Sequence, residues 1–159
     1  MTFLNLLQQS WLARLVQETV WGYPVVLTCH AVGMAMLAGV VLMICFRVLG
    51  FAPAIPVVLL RPMLKLALGG FLINVISGAM LFMADAAKFF ASNPFRIKMV
   101  LLIAGGLLLG SLTRRVLGDS VAQRGASALR ADKMIAAAAV LVWVGVIVAG
   151  RLIAYVDVV

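Results

Sequence analysis

Charged side chains are scarce in this sequence. Only 11% of its 159 residues are charged, whereas 65% are hydrophobic and the mean hydropathy is +1.19. A soluble domain carries about 25% charged residues and about 45–50% apolar ones. The composition therefore excludes an ordinary soluble domain and indicates an integral membrane protein. Repeats and low-complexity tracts are also missing, and the connecting segments are short, so any chemistry belongs to the helices.

Cysteines are few, and their spacing excludes an internal crosslink. Cys29 and Cys45 are about 24 Å apart along one predicted helix at a rise of about 1.5 Å per residue, too far for a disulfide.

Residues 1–21 lack a basic start and a compact apolar block followed by small residues, so we expect no signal peptide. Apolar side chains recur there at three- and four-residue spacing, which predicts an amphipathic interfacial helix.

Four apolar stretches predict four membrane-spanning helices. The stretches are 24–46, 66–84, 99–113 and 134–150. With their flanks, the helices are expected at about 24–48, 62–86, 96–115 and 134–156. Because a span needs about 20 apolar residues, the last two stretches, about 22 and 25 Å long by helical rise, are short. The sequence predicts one all-α domain over 1–159, a four-helix transmembrane bundle preceded by an interfacial helix at 1–21.

The distribution of basic residues predicts the orientation in the membrane. Eight of the 13 fall on one side of the predicted spans: Arg47, Arg61, Lys65, Arg114, Arg115, Arg124, Arg130 and Lys133. The positive-inside rule places the loops 47–65 and 114–133 in the cytoplasm and both termini in the periplasm of a bacterial inner membrane. Lipid headgroups then account for the net charge of +8, and no nucleic-acid partner is expected.

The single histidine lies inside an unbroken apolar run, 25–40. His30 is about 9 Å from the outer end of its predicted helix, where an ionisable group is costly unless it is paired or coordinated. Asp85, Lys98 and Arg151 fall in the same leaflet. The alternatives are that Lys98 and Arg151 snorkel to the headgroups, that Asp85 is an interfacial cap, and that neutral His30 hydrogen-bonds a neighbouring helix.

Three kinds of chemistry suit a single membrane histidine. The first is axial ligation of b-type haem, since helix bundles build cofactor sites from facing side chains. The second is Cu(I) binding by imidazole and thioether ligands. The candidate thioethers are Met34, Met80 and Met83. The third is a proton relay through His30 and Asp85 with Asn74 or Ser77.

Haem b is the cofactor we expect, in a protein of electron transfer or redox sensing. The expected cofactor-binding residues are His30, as the metal ligand, with Met34, Met80, Met83, Asp85, Lys98 and Arg151. One histidine supplies one axial ligand, so the second is Met80 or Met83, a histidine of another subunit, or absent. The alternatives are a copper-handling or small-solute permease and a structural subunit of a larger membrane complex.

Small residues recur at helical spacing on two of the predicted spans. They are Ala31, Ala35 and Gly39 on the first, and Gly106 and Gly110 on the third. Such stripes allow close helix approach, either inside the bundle or between subunits. A stripe between subunits would make a second copy of the chain an expected partner. The other expected partners are the lipid bilayer and, for electron transfer, a periplasmic redox protein.

Three segments carry a resemblance to a known family: "YPVVLTCHAVG" (23–33), "FRVLG" (46–50) and "ADAAKFFASNPFRIKMVLL" (84–102). They resemble a family of uncharacterised four-helix bacterial membrane proteins similar to the CopD-like copper-resistance group. "KMVLLIAGGLLLGSLTRR" (98–115) is similar to the third helix of CopD-like domains. The resemblance implies a four-helix fold and a cofactor or metal role near His30, with Arg47, Asp85, Asn93, Pro94 and Lys98 at matching positions.

Overall fold

The chain is almost entirely helical in a computed structural model that describes residues 3–51, 53–54, 56, 59–116 and 126–156. Its described helices are α1 (Phe3–Gln8), α2 (Trp11–Glu18), α3 (Gly22–Leu49), α4 (Leu60–Ala84), α5 (Ala86–Ala91), α6 (Asn93–Val116) and α7 (Ala126–Val156). Helices α3, α4, α6 and α7 are long and apolar enough to cross a membrane. The predicted all-α architecture with four spans is therefore confirmed.

Helix ends follow local signals in the sequence. Helix α3 stops at Gly50, whose φ of 100° is the left-handed conformation that favours glycine after a helix. Pro94 is the second residue of α6, where the missing N–H and the preset φ of proline are tolerated. Helix α7 begins at Ala126, earlier than the expected 134, because a polar first part precedes its apolar stretch. Residues 117–125, within the loop 114–133, lie outside the described residues.

The N-terminal segment forms two short helices that pack on the bundle. Ser10 separates them, and its hydroxyl accepts a hydrogen bond from the backbone N–H of Ala13 at 3.3 Å, which caps α2. Helix α2 packs against α4 and α3, while α1 packs against α5 and α4. The side chain of Gln17 donates to the carbonyl of Ala84, at the end of α4. The amphipathic segment thus covers one end of α4.

The bundle consists of two helix pairs joined along one side. Helix α3 packs mainly on α4, α6 packs on α7, and α3 also contacts α7. The largest fully buried side chains include Ile44, Leu60, Leu112, Val41 and Val146. Most of them lie toward the end that contains the C-terminus of α3. Packing is therefore tightest there, and a pocket remains at the opposite end, where His30 lies and which is called the histidine end below.

A pair of glycines forms a close contact between α3 and α4. A methyl group added at Gly33 would lie 2.9 Å from the carbonyl oxygen of Gly70, and one added at Gly70 would lie 2.7 Å from the carbonyl oxygen of Gly33. The two backbones touch because neither residue has a side chain. In the predicted stripes, by contrast, an added methyl at Gly39, Gly106 or Gly110 meets nothing within 4 Å. These stripe glycines therefore make no close helix contact within the described chain.

Large apolar side chains cover the outside of the bundle. On α6, Val100, Ile103 and Leu107 are 65–72% exposed and share one face of the helix. On α4, Leu72 and Ile76 are more than half exposed. Such a surface would be unstable in water and is the expected one for helices that contact lipid. The exposed faces agree with a lipid bilayer as the surroundings of this protein.

Candidate functional site

A pocket of about 280 Å³ opens between the two helix pairs at the histidine end. Besides Tyr23, its polar lining consists of His30 from α3, Asp85 at the end of α4, Lys88 from α5, Lys98 from α6 and Arg151 from α7. Every long helix thus contributes a polar group, or ends in one, at this pocket. Four of these five residues are the ionisable side chains that the sequence assigns to one leaflet, and the structure brings them together.

Three phenylalanines form an apolar wall of the pocket. Phe82 of α4 stacks on Phe95 of α6 with ring centroids 5.5 Å apart, and Phe89 of α5 lies 5.7 Å from Phe95 and 6.4 Å from Phe82. All three line the pocket. Offset aromatic contacts of this kind stabilise the elements that carry them. The cluster therefore links α4 to α6 at the histidine end and supplies a flat, apolar surface.

A chain of hydrogen bonds fixes the orientation of the His30 ring. The hydroxyl of Ser77 donates to the carbonyl of Ile73 at 2.6 Å, and it lies 3.0 Å from His30 Nδ1. Because a serine hydroxyl has one hydrogen and the contact of Ser77 with Ile73 is the shorter one, we assign Ser77 as the acceptor from His30 and the imidazole proton to Nδ1. The Nε2 atom then carries the lone pair, and Lys98 Nζ donates to it at 3.4 Å.

Two glycines make room for this chain of polar groups. A methyl group added at Gly78 would lie 3.2 Å from His30 Cε1, so the imidazole packs directly against the α4 backbone. An added methyl at Gly150 would lie 3.5 Å from Lys98 Nζ. The ring and the ammonium group therefore approach α4 and α7 closely. Neither glycine is identifiable as a site residue from the sequence, since this role depends on contacts between distant segments.

The cations of the pocket are not neutralised by its carboxylate. Arg151 donates to the hydroxyl of Tyr155 at 3.0 Å, and its guanidinium lies 5.2 Å from the centroid of that ring. The Asp85 carboxylate accepts from the side chain of Gln8 at 3.5 Å. Within the described part of the chain, neither Lys98 nor Arg151 forms an ion pair with Asp85. Three cations against one carboxylate leave the lining with a net charge of +2.

The three methionines expected as ligands are absent from the described lining of the pocket. Met34 packs against the hydrophobic core, while Met80 and Met83 are partly buried on α4. Among the described residues, no group of three or more His, Cys, Asp or Glu side chains is arranged to hold a metal ion. Of the candidate relay residues, Ser77 contacts His30 through its hydroxyl and Asn74 through its backbone, while the side-chain amide of Asn74 donates to the carbonyl of Gly70.

Lys88 and the three phenylalanines line the pocket but were not predicted from the sequence. Lys88 resembles an ordinary interfacial cation in the sequence, and the three phenylalanines resemble lipid-facing residues. The position of the phenylalanines could have indicated the pocket, since residues 82, 89 and 95 flank Asp85 and the break between α4 and α6.

Comparisons of the chain with protein-family models, curated proteins and solved structures found no match.

Proposed function

We propose that this protein binds b-type haem in the pocket at the histidine end and acts in electron transfer or redox sensing. The observation that carries the proposal is the orientation of His30, with Nδ1 3.0 Å from the Ser77 hydroxyl and Nε2 3.4 Å from Lys98 Nζ in the pocket. Metal-ligating histidines usually donate their other ring N–H to an oxygen in this way. Haem, when bound, supplies one-electron redox chemistry.

The rest of the pocket suits the two other parts of a haem molecule. Lys98, Arg151 and Lys88 are donors for the propionate carboxylates, since charge-assisted hydrogen bonds are the strong ones. Phe82 and Phe95 offer a stacked aromatic surface to the macrocycle. These residues fit an organic cofactor better than they fit a bare copper ion, because the candidate thioether ligands lie outside the described pocket lining.

Haem binding requires Lys98 to leave His30. A neutral imidazole has one lone pair on Nε2, and the ammonium group of Lys98 occupies it at 3.4 Å. Lysine has a flexible four-carbon stem and can turn toward a carboxylate. The cavity of about 280 Å³ is just below the range of about 300–1,000 Å³ that is usual for ligand pockets. Movement of Lys98 would enlarge it.

The absorption spectrum of the purified protein tests the proposal. The protein is produced with an adequate haem supply, extracted in mild detergent and analysed for haem and copper in the same sample. A Soret band at up to one haem per chain is the expected result. Stoichiometric copper without a Soret band would support the copper alternative, and a protein with neither would contradict any cofactor role.

The hydrogen bond between Ser77 and the His30 ring leads to a prediction about haem affinity. Replacing Ser77 by alanine removes the side-chain hydroxyl at His30 Nδ1 and so weakens the hold on the ring. We expect haem affinity to fall by about 10- to 100-fold, as is typical for such supporting groups. Haem titration of the variant measures the effect. Ser111→Ala is the matched control, because within the described residues Ser111 donates to the carbonyl of Leu108 on its own helix and lies outside the pocket lining. Equal losses in both variants would contradict the prediction.

The orientation in the membrane gives a prediction that does not involve haem. On the distribution of basic residues, the histidine end faces the periplasm and the segment 114–133 faces the cytoplasm. A cysteine placed at Asp119, which lies outside the described residues, is introduced after Cys29 and Cys45 are replaced by serine. We expect a membrane-impermeant thiol reagent to label it only in permeabilised cells. Labelling in intact cells would reverse the assigned orientation.

A further inference from the structure

Lys98 has an unusual environment for a membrane-embedded cation. It is partly buried, its ammonium group lies against Gly150, and its polar contact within the described residues is the uncharged Nε2 of His30. A buried charge is costly unless an opposite charge or several hydrogen bonds compensate it. Among the described residues, one bond to an imidazole leaves two of the three ammonium hydrogens without a partner. The ammonium group is therefore a strong candidate to bind an anion.

The walls of the pocket indicate what kind of anion fits. The lining carries the cations Lys88, Lys98 and Arg151, and its apolar wall is formed by Phe82, Phe89 and Phe95. The pocket therefore combines cationic groups with an aromatic wall. Such a lining matches a molecule with one charged group and an apolar body.

We infer that Lys98 and Arg151 hold the carboxylate of an amphiphilic organic anion whose apolar body lies against the phenylalanine wall. A planar carboxylate matches the guanidinium fork of Arg151, with Lys98 as a second charged donor. The carboxylate has two sources, a haem propionate or a membrane fatty acid. The first source rests on the proposed function, and the second does not.

A comparison of haem with its dimethyl ester tests the first source. The ester keeps the iron and the macrocycle but has no carboxylate. In titrations of the haem-free protein we expect the ester to bind about 10- to 100-fold more weakly than haem, the usual loss for a charged hydrogen bond. In Lys98→Met the ratio of the two affinities should fall toward one. Loss of Lys98 also frees Nε2 of His30, but this change affects the affinities for haem and for its ester equally. It therefore cancels in the ratio of the two affinities.

Arg96→Met is the matched control, and Lys98→Arg is the conservative variant. Arg96 is on the same helix two residues earlier, but its guanidinium donates to the carbonyl of Phe90 outside the pocket. The affinity ratio should be unchanged in Arg96→Met and largely restored in Lys98→Arg. A ratio near one in the wild type, or an equal change in Lys98→Met and Arg96→Met, would overturn the haem propionate as the source.

Calorimetric titration with oleate tests the second source without haem. Binding that weakens by about 10-fold or more in Lys98→Met but not in Arg96→Met supports the inference. If the protein binds no haem but binds oleate through Lys98, the proposed function fails and the inference stands. If haem and its ester bind equally and oleate binding is independent of Lys98, the inference fails and the proposed function stands.

Discussion

Replacing His30 by alanine is expected to abolish the Soret band of the purified protein while the helical fold persists. His30 is the single histidine of the chain, so the substitution removes the imidazole that would ligate the iron. The ring is only partly buried and packs against Gly78, so its loss should leave the core of the bundle intact. Absorption and circular dichroism spectra of the wild type and the variant measure both effects.

Free imidazole is the control for this variant. The space left by the ring is bordered by Ser77 and Gly78, and a small imidazole added in solution can bind there. Partial return of the Soret band in its presence would show that ligation, rather than folding, was lost. A variant that keeps the full Soret band without added imidazole would refute His30 as the ligand.

The same variant reports on the number of subunits. The chain has one histidine, so a second histidine ligand to haem would have to come from another subunit. In that case His30→Ala would also weaken the oligomer. If no second subunit holds the haem, the variant would lose only the Soret band. Native mass spectrometry in detergent distinguishes these cases by subunit number.

Replacing Gly33 by alanine is expected to destabilise the bundle by about 1–3 kcal/mol, the usual cost of inserting a methyl group into a filled contact. The added carbon would lie 2.7 Å from the side-chain nitrogen of Asn74 and 2.9 Å from the carbonyl oxygen of Gly70. The carbonyl belongs to the helix backbone and cannot move without separating α3 from α4. Thermal unfolding in detergent, followed by circular dichroism, measures the loss.

Gly39→Ala is the matched control on the same helix. No atom lies within 4 Å of a methyl group added at Gly39, and alanine favours a helix over glycine by about 1 kcal/mol. The control variant should therefore be as stable as the wild type or slightly more stable. Equal behaviour of the two variants would contradict the glycine contact between α3 and α4. Greater loss in Gly39→Ala would instead indicate that Gly39 contacts a second subunit.

The four spans could be predicted because lipid acts on each helix separately. A segment crosses the membrane when its own side chains are apolar enough, with little dependence on other segments. The start of α7 could not be predicted from hydropathy. Its polar first part is held by tertiary contacts, including the ion pair of Arg115 with the buried Asp132 at 3.6 Å. Helix ends in polar segments depend on such partners.

The candidate site was partly predictable for the same reason. Depth in the membrane follows from residue number along a helix at about 1.5 Å per residue, so His30, Asp85, Lys98 and Arg151 could be assigned to one layer. Depth does not say which way a side chain points around its helix relative to the other helices. The methionines satisfy the depth condition as well, yet the described pocket lining excludes them.

The sequence alone thus determined the membrane setting, the number of spans and the layer in which the ionisable groups lie, because each depends on local composition. Only the tertiary structure decided which groups meet: Ser77 at one imidazole nitrogen, Lys98 at the other, and Gly33 against Gly70. These contacts join segments about 40 to 70 residues apart. They depend on how whole helices rotate and approach, which close packing of all the side chains determines together.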